Sequence, residues 1–411
     1  MSASSPVIQL PDRPDLRHLK DQARDLVKDG SCAALSDAQF TVARRYGFPN
    51  WPKLKAFVES VVGDDMGELE RAILDDDIDR LTALCEDDPG LIHREGHWIR
   101  RKRHNQYLPL AYAAYFGKVK AMEVLIAAGS DIHAGEGKAL RAATYSEQYQ
   151  EAIDLLIRHG ADPNATTRTP AGYAYSTVDY PCMLLASGAL QCLLSHGARL
   201  TPRGIGFVVA ANERNSQGKA ACLAAIAAHG FALPDTPPMA LHRRDRVRLE
   251  QFLRQDPGLM SRAFVEAEIF PSELGTQHPA ASAYVTPLTG GVTLLHMAVE
   301  FCDAEIADWL LRHGADVNAA AAMDAHGFGG WTPLFHAVAT LHHPRSFPDL
   351  AALLLQHGAN LDVRASIRKP TPGEDNEWAV WENVTAAEYA RDFVYPDLVN
   401  HDALRLIEGG G

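Results

Sequence analysis

Apolar positions along the chain recur with helical spacing in short stretches, each closed by polar or glycine punctuation. In EAIDLLIRHG (151–160), Ile153, Leu155, Leu156 and Ile157 predict one buried helix face, and Gly160 can take the positive φ that ends a helix. Shorter helices are predicted over LPLAYAAYFG (108–117), VTLLHMAVEF (292–301) and WTPLFHAVAT (331–340). Thr332 can cap the last of these, Pro333 fits a first helical turn, and the small alanines let neighbouring helices approach closely. The first sixty residues predict three more helices. One spans 16–30 and stops at Gly30; the next spans 36–47, with Ser36 as N-cap, Gln39 as its capping-box partner and Gly47 as the stop. The third spans 50–62, capped by Asn50 with Pro52 in its first turn.

The stretches also repeat. LLIRHGADPNA at 155–165 returns as WLLRHGADVNA at 309–319, with fainter copies at 125–134, 193–201, 226–233 and 354–362. Self-similarity of this kind marks a stack of equivalent units. The pieces TPLFHA, TLLHMA and HGADVNA resemble the signatures of the ankyrin repeat, and two units ending in DPGL (81–92 and 249–260) are similar to a bacterial variant of it. The resemblance covers about 67–409 and is weakest at 178–235. It implies an all-α ankyrin-repeat solenoid of about eight or nine helix-turn-helix units, with the half-unit 385–409 capping the stack. The preceding helices are similar to a segment found before such arrays in bacterial proteins. The expected division is therefore a helical cap at 1–65 and an array at 66–411.

Composition narrows the partners. The 411 residues are 46% hydrophobic and 22% charged, as in a soluble folded protein. The formal net charge is −13, and residues 1–62 hold nine Lys and Arg against seven Asp and Glu, so the rest carries −15. Such a body repels nucleic acid and anionic membrane. A helix-turn-helix reading of the N-terminal segment rests on Ala43, Gly47, Arg44, Arg45, Lys53 and Lys55. It is opposed by Lys53 at an anchoring position and by Pro52. No apolar run approaches membrane-spanning length, and the N-terminus lacks the apolar core of a secretory signal. Cys32, Cys85, Cys182, Cys192, Cys222 and Cys302 form no C-x-x-C pair and are expected to be reduced and mostly buried, consistent with the cytoplasm.

The eighteen histidines invite a chemical reading, but His159, His196, His229, His313 and His357 all fall at the helix-ending HG and His296 in the TLLH slot. All six are expected to serve packing and hydrogen bonding. The connections say more. Five segments in the same slot of the repeat are enlarged, at about 93–107, 165–179, 266–291, 320–331 and 366–384. They carry Trp98, Arg101, Arg103, Trp331, Trp378 and Trp381, and the inner helices add Tyr112, Tyr115 and Tyr145. Aromatics and arginines over a groove are the residues binding hot spots use, which points to a protein or peptide partner. The alternative is an enzyme or small-molecule-binding protein. Glu300, Asp324, His326 and His336 could gather at one end of the groove as an acid–base set. No metal or cofactor is expected, since His342 and His343 lack a recognised ligand spacing and GFGG lacks the Lys-Ser/Thr of a phosphate loop.

Overall fold

A computed structural model describes residues 16–61, 65–100, 103–168, 174–211, 215–275, 287–288, 291–339, 348–370, 378–394 and 396–409. The chain divides into two compact units, Met1–Asp131 and Ile132–Gly411.

The first unit opens with the helices Leu16–Lys28, Leu35–Arg45 and Trp51–Val61. They enclose a core of their own, built from Leu19, Ala23, Leu26, Ala38, Val42, Ala43, Leu54 and Val58. Gly30 and Gly47 take the expected positive φ, 79° and 82°, and Asn50 Oδ1 accepts the Lys53 N–H at 3.0 Å. The capping box at Ser36 does not form. The N-cap falls two residues earlier, at Ala34, which makes no side-chain bond, so Ser36 lies inside the first turn. Two helix pairs follow, Asp65–Asp75 with Ile78–Asp87 and Pro109–Tyr115 with Val119–Ala127.

The second unit continues the pattern of a short helix joined to a second helix. Its clearest pairs are Asp179–Met183 with Ser187–Ser195, Pro202–Val209 with Ser216–Ala228, Leu294–Glu300 with Ala304–Arg312, and Pro333–Val338 with Pro348–Gln356. Local chemistry sets the ends. Thr201 and Thr236 cap helices that begin with proline, accepting Gly204 and Met239 N–H at 3.2 and 3.4 Å. Asp245 and Asp303 cap second helices through Arg248 and Ile306 N–H at 2.9 and 3.2 Å. Between paired helices one residue turns left-handed, and at Leu185, Arg244 and Cys302 it is not glycine (φ 54°, 52° and 54°). The second helices close on glycine, with φ of 96° at Gly160 and 91° at Gly314.

The two near-identical eleven-residue stretches make the same corner. Asp162 and Asp316 each accept the N–H two residues on, from Asn164 and Asn318, at 2.8 Å. Each asparagine then reaches the next helix pair. Asn164 Nδ2 donates to the Gly197 carbonyl at 3.2 Å and Oδ1 accepts Arg199 N–H at 2.8 Å. Asn318 does the same with the Gly358 carbonyl and Asn360 N–H, at 3.1 and 2.7 Å.

The architecture is helix-rich rather than all-α, because three enlarged connections fold as antiparallel hairpins. These pair β1 (Gly96–Arg100) with β2 (Arg103–Tyr107), β3 (Thr166–Arg168) with β4 (Ala174–Ser176), and β5 (Ala365–Pro370) with β6 (Trp378–Val384). The connection at 320–331 leans on β5 through backbone bonds between Gly329 and Ser366, 2.8 and 3.1 Å. Only glycine fits there, since a Cβ at Gly329 would lie 2.5 Å from the Ala322 carbonyl oxygen. The expected burial of the cysteines holds for Cys85, Cys182 and Cys222, whereas Cys32, Cys192 and Cys302 are half-buried.

Candidate functional site

The acid–base residues divide into two groups. Glu300 ends the helix Leu294–Glu300, and His336 lies in Pro333–Val338. Their side chains have no solvent exposure, and His336 Nδ1 lies 2.6 Å from Glu300 Oε2. His296 stands edge-on to His336 with ring centroids 5.7 Å apart. Its Nδ1 accepts Thr293 N–H at 3.2 Å, so Nε2 carries the proton and donates to the Trp331 carbonyl at 3.1 Å. Burial first, and the neighbouring His336 second, push His296 down to about 3. Among the described residues, His336 Nε2 and Trp331 Nε1 are buried polar atoms without a hydrogen-bond partner. Glu300 and His336 both lie inside the core.

Asp324 and His326 are placed differently. Asp324 Oδ1 accepts His326 and Phe328 N–H at 2.8 and 3.0 Å, and Oδ2 accepts Arg368 Nη2 at 2.8 Å. The backbone bond from Phe328, then that from His326 and the charge of Arg368, hold the Asp324 carboxyl below its ordinary range against desolvation. His326 is exposed. The structure therefore joins Glu300 to His336 and Asp324 to Arg368, and leaves the His326 side chain facing solvent.

Among the residues expected to meet a partner, Trp331 and Trp381 are buried. Trp381 stacks on Phe393 (5.5 Å, 8°), meets Tyr389 edge-on at 5.0 Å, and donates Nε1 to the Asp392 carbonyl at 3.2 Å. Tyr112 is also buried, with Phe116 edge-on at 4.9 Å; burial, then the charge of Glu70, raise its phenol above the ordinary range. Tyr115 is half-buried beside Phe116, and Tyr145 is exposed. Trp98 and Arg103 occupy hairpin positions opposite Asn105 and Arg100. Arg101, His342 and His343 lie outside the described residues.

Trp378 is 52% exposed and belongs to a built surface. In the β5–β6 register Ile367 faces Trp381, Arg368 faces Val380, and Lys369 faces Ala379. Alternation puts Ile367, Lys369 and Trp381 on the buried face, and Arg368, Trp378 and Val380 on the outer one. There the Arg368 guanidinium lies 4.9 Å from the Phe328 ring and 5.2 Å from Trp378, steadied by Asp324. Val380 and Met323 are exposed on the same strands and loop, at 48% and 61%.

Sequence reasoning missed Arg368, although its alternation with Trp378 across a hairpin is a usable signal. It also missed Arg203, beside the β3–β4 hairpin. That guanidinium lies 4.7 Å from Tyr175 and 5.4 Å from Phe207, with Nη1 donating to the Ala174 carbonyl at 2.8 Å. Two hairpins thus have a held arginine against aromatic rings, Arg368 on the β5–β6 hairpin itself and Arg203 on the helix beside β3–β4. Lys219 and His242 form a further buried polar pair. Lys219 Nζ donates to the Val209 carbonyl at 3.0 Å and sits 3.6 Å from the Phe301 ring. His242 Nε2 bonds the Ile269 carbonyl at 3.1 Å, and burial followed by the Lys219 charge holds it well below its ordinary range. A shallow crevice of about 300 Å³, lined by Ala304, Asp308, Ala352, Leu353 and Gln356, includes none of these groups.

Residues 273–365 match the family model for ankyrin repeats in three copies. Among solved structures, the chain is similar to the crystal structure of the human ASB11 ankyrin repeat domain. The identity is 19%, covering 74% of this chain and 99% of that one, with a TM-score of 0.31. No curated protein matches the sequence. Residues 273–365 are thus similar to ankyrin repeats, within a helix-rich fold; such repeats are generally protein–protein interaction modules. No helix among the described residues is long and apolar enough to cross a membrane.

Proposed function

We propose that this chain is a bacterial, cytoplasmic binding protein whose groove and long finger loops engage a protein or peptide partner. The outer face of the β5–β6 hairpin serves as the anchor, and residues 1–65 act as a helical cap. The observation that carries this reading is the pairing of a half-exposed Trp378 with Arg368, an arginine already oriented by Asp324 and Phe328. An immobilised arginine beside an exposed indole loses little side-chain entropy on binding, which is what makes such pairs hot spots. Tyr175 of the β3–β4 hairpin, with Arg203 from the helix Pro202–Val209, is a second contact. Nucleic acid is disfavoured by the −13 charge.

The test places a photo-crosslinking residue at position 380 of the full chain and, for comparison, at Val247, which is 66% exposed on a second helix. A single protein captured from 380 and not from 247 is expected. Trp378→Ala should then weaken the purified complex by about 2 kcal/mol or more, roughly thirty-fold. Equal capture from both positions, or an unchanged affinity, overturns the reading.

The alternative, an enzyme or small-molecule-binding protein using Glu300, Asp324, His326 and His336, has one observation in its favour. His336 Nε2 has no partner among the described residues, as a base awaiting a proton would not. It ranks second because the Glu300–His336 pair has no solvent exposure through which a substrate could reach it.

A further inference from the structure

In the second unit the helices Tyr149–Arg158 and Ser187–Ser195 pack side by side. Gly188 leaves room for Tyr149 on this seam, since a Cβ there would meet the end of the tyrosine side chain. Asp154 from the first helix meets Cys192 and His196 from the second on this seam. Cys192 and His196 are four residues apart and share one helix face. His196 Nε2 lies 2.6 Å from Asp154 Oδ1, and Cys192 Sγ lies 3.9 Å from the same oxygen. The three potential donor atoms all fall within 4.8 Å of one another.

His196 departs from its counterparts. His229 and His313 turn Nδ1 back onto their own helices, to the Ala225 and Trp309 carbonyls at 2.8 and 2.7 Å. His196 turns outward to the neighbouring helix instead, so its hydrogen bond joins two helices where theirs close on their own.

We propose that Asp154, Cys192 and His196 form a binding site for a divalent cation of the zinc class. One carboxylate oxygen, one thiolate sulfur and one imidazole nitrogen make a borderline-soft donor set, which suits zinc and not calcium or magnesium. Metal–donor bonds of about 2.0–2.3 Å in a tetrahedron place neighbouring donors roughly 3.3–3.8 Å apart. The sulfur–oxygen pair, now 3.9 Å apart, must close by a few tenths of an ångström. The nitrogen–oxygen pair must open by roughly 0.7 Å to reach that geometry, a side-chain movement available to groups 31% and 40% exposed. The same exposure lets water fill the fourth position. Thiolate and carboxylate together balance the double positive charge, and the Cys192 proton leaves to solvent on binding. The bound ion clips two consecutive helix pairs together.

The experiment titrates the full chain with Co²⁺ and then Zn²⁺. One equivalent of Co²⁺ should give the visible bands of a tetrahedral ion and a near-ultraviolet sulfur-to-cobalt charge-transfer band, both bleached by Zn²⁺. Cys192→Ser should abolish the charge-transfer band, and Cys302→Ser should leave it intact. His196→Ala and Asp154→Asn should each weaken binding by about ten-fold or more. Asp154→Asn keeps the size and hydrogen-bonding capacity of the side chain, so its fold, checked by circular dichroism, is retained and its loss of affinity reports ligation. No band at one equivalent, or a charge-transfer band that survives in Cys192→Ser, overturns the proposal.

Discussion

Glu300 with His336, and Arg368 with Trp378, belong to neighbouring stretches of the second unit but occupy opposite environments. The first pair has no solvent exposure and closes a short hydrogen bond between two inner helices. The second lies on the outer face of a hairpin, where the indole is half in water and the guanidinium is 30% exposed. Residue type does not distinguish them, since both combine a charged group with a ring. What differs is what the surroundings demand. A buried carboxylate must have its partners, so the first pair answers to the core, whereas the second satisfies itself locally and leaves apolar surface over.

The largest test of this contrast removes one half of the buried pair. Glu300→Ala should destabilise the chain by about 3–5 kcal/mol in urea unfolding, because the desolvated His336 loses its partner. A loss below about 1 kcal/mol would mean that the pair is not structural, and the acid–base reading would regain weight.

Acid should act on the same region. His296 and His242 both have depressed folded-state values, so the unfolded chain binds protons that the folded chain refuses. Stability is then complete above the ordinary histidine range and falls as pH drops through about 6.5, at up to about 1.4 kcal/mol per pH unit for each histidine. For His296 the loss continues down towards about 3. Urea midpoints at pH 7, 6 and 5 should fall steadily. Identical midpoints would show that these rings are not held neutral.

The smallest expected effect sharpens the other side. Trp378→Ala should change stability by less than about 0.5 kcal/mol, as expected for a surface side chain outside the core. A loss above about 2 kcal/mol would assign Trp378 to packing and remove the proposed anchor.

What could be read from the sequence was local. The glycine stops, the asparagine cap at Asn50 and the helix-opening Pro52 and Pro333 act through neighbours one to four residues away, and each appears where the pattern places it. What could not be read depends on distant partners. Trp331 and Trp378 look alike in a loop, but Trp331 sits against the inner helices and Trp378 on the free face of a hairpin. His196 and His313 share the same motif, yet only His196 meets an aspartate 42 residues upstream. Even the local reading failed at Ser36, where an N-cap moved by two residues replaced a side-chain cap with a bare alanine.

The asparagine clasps at Asn164 and Asn318 bear on how the chain is made. Each closes onto a turn only 33 or 40 residues further along. During synthesis at about 5–20 residues per second, the partner turn emerges within several seconds of the asparagine. The second unit can therefore lock corner by corner as it leaves the ribosome, with no clasp waiting for the C-terminal helix. Truncated chains ending just beyond Gly197 and Arg199 already contain every atom needed to fasten the first clasp.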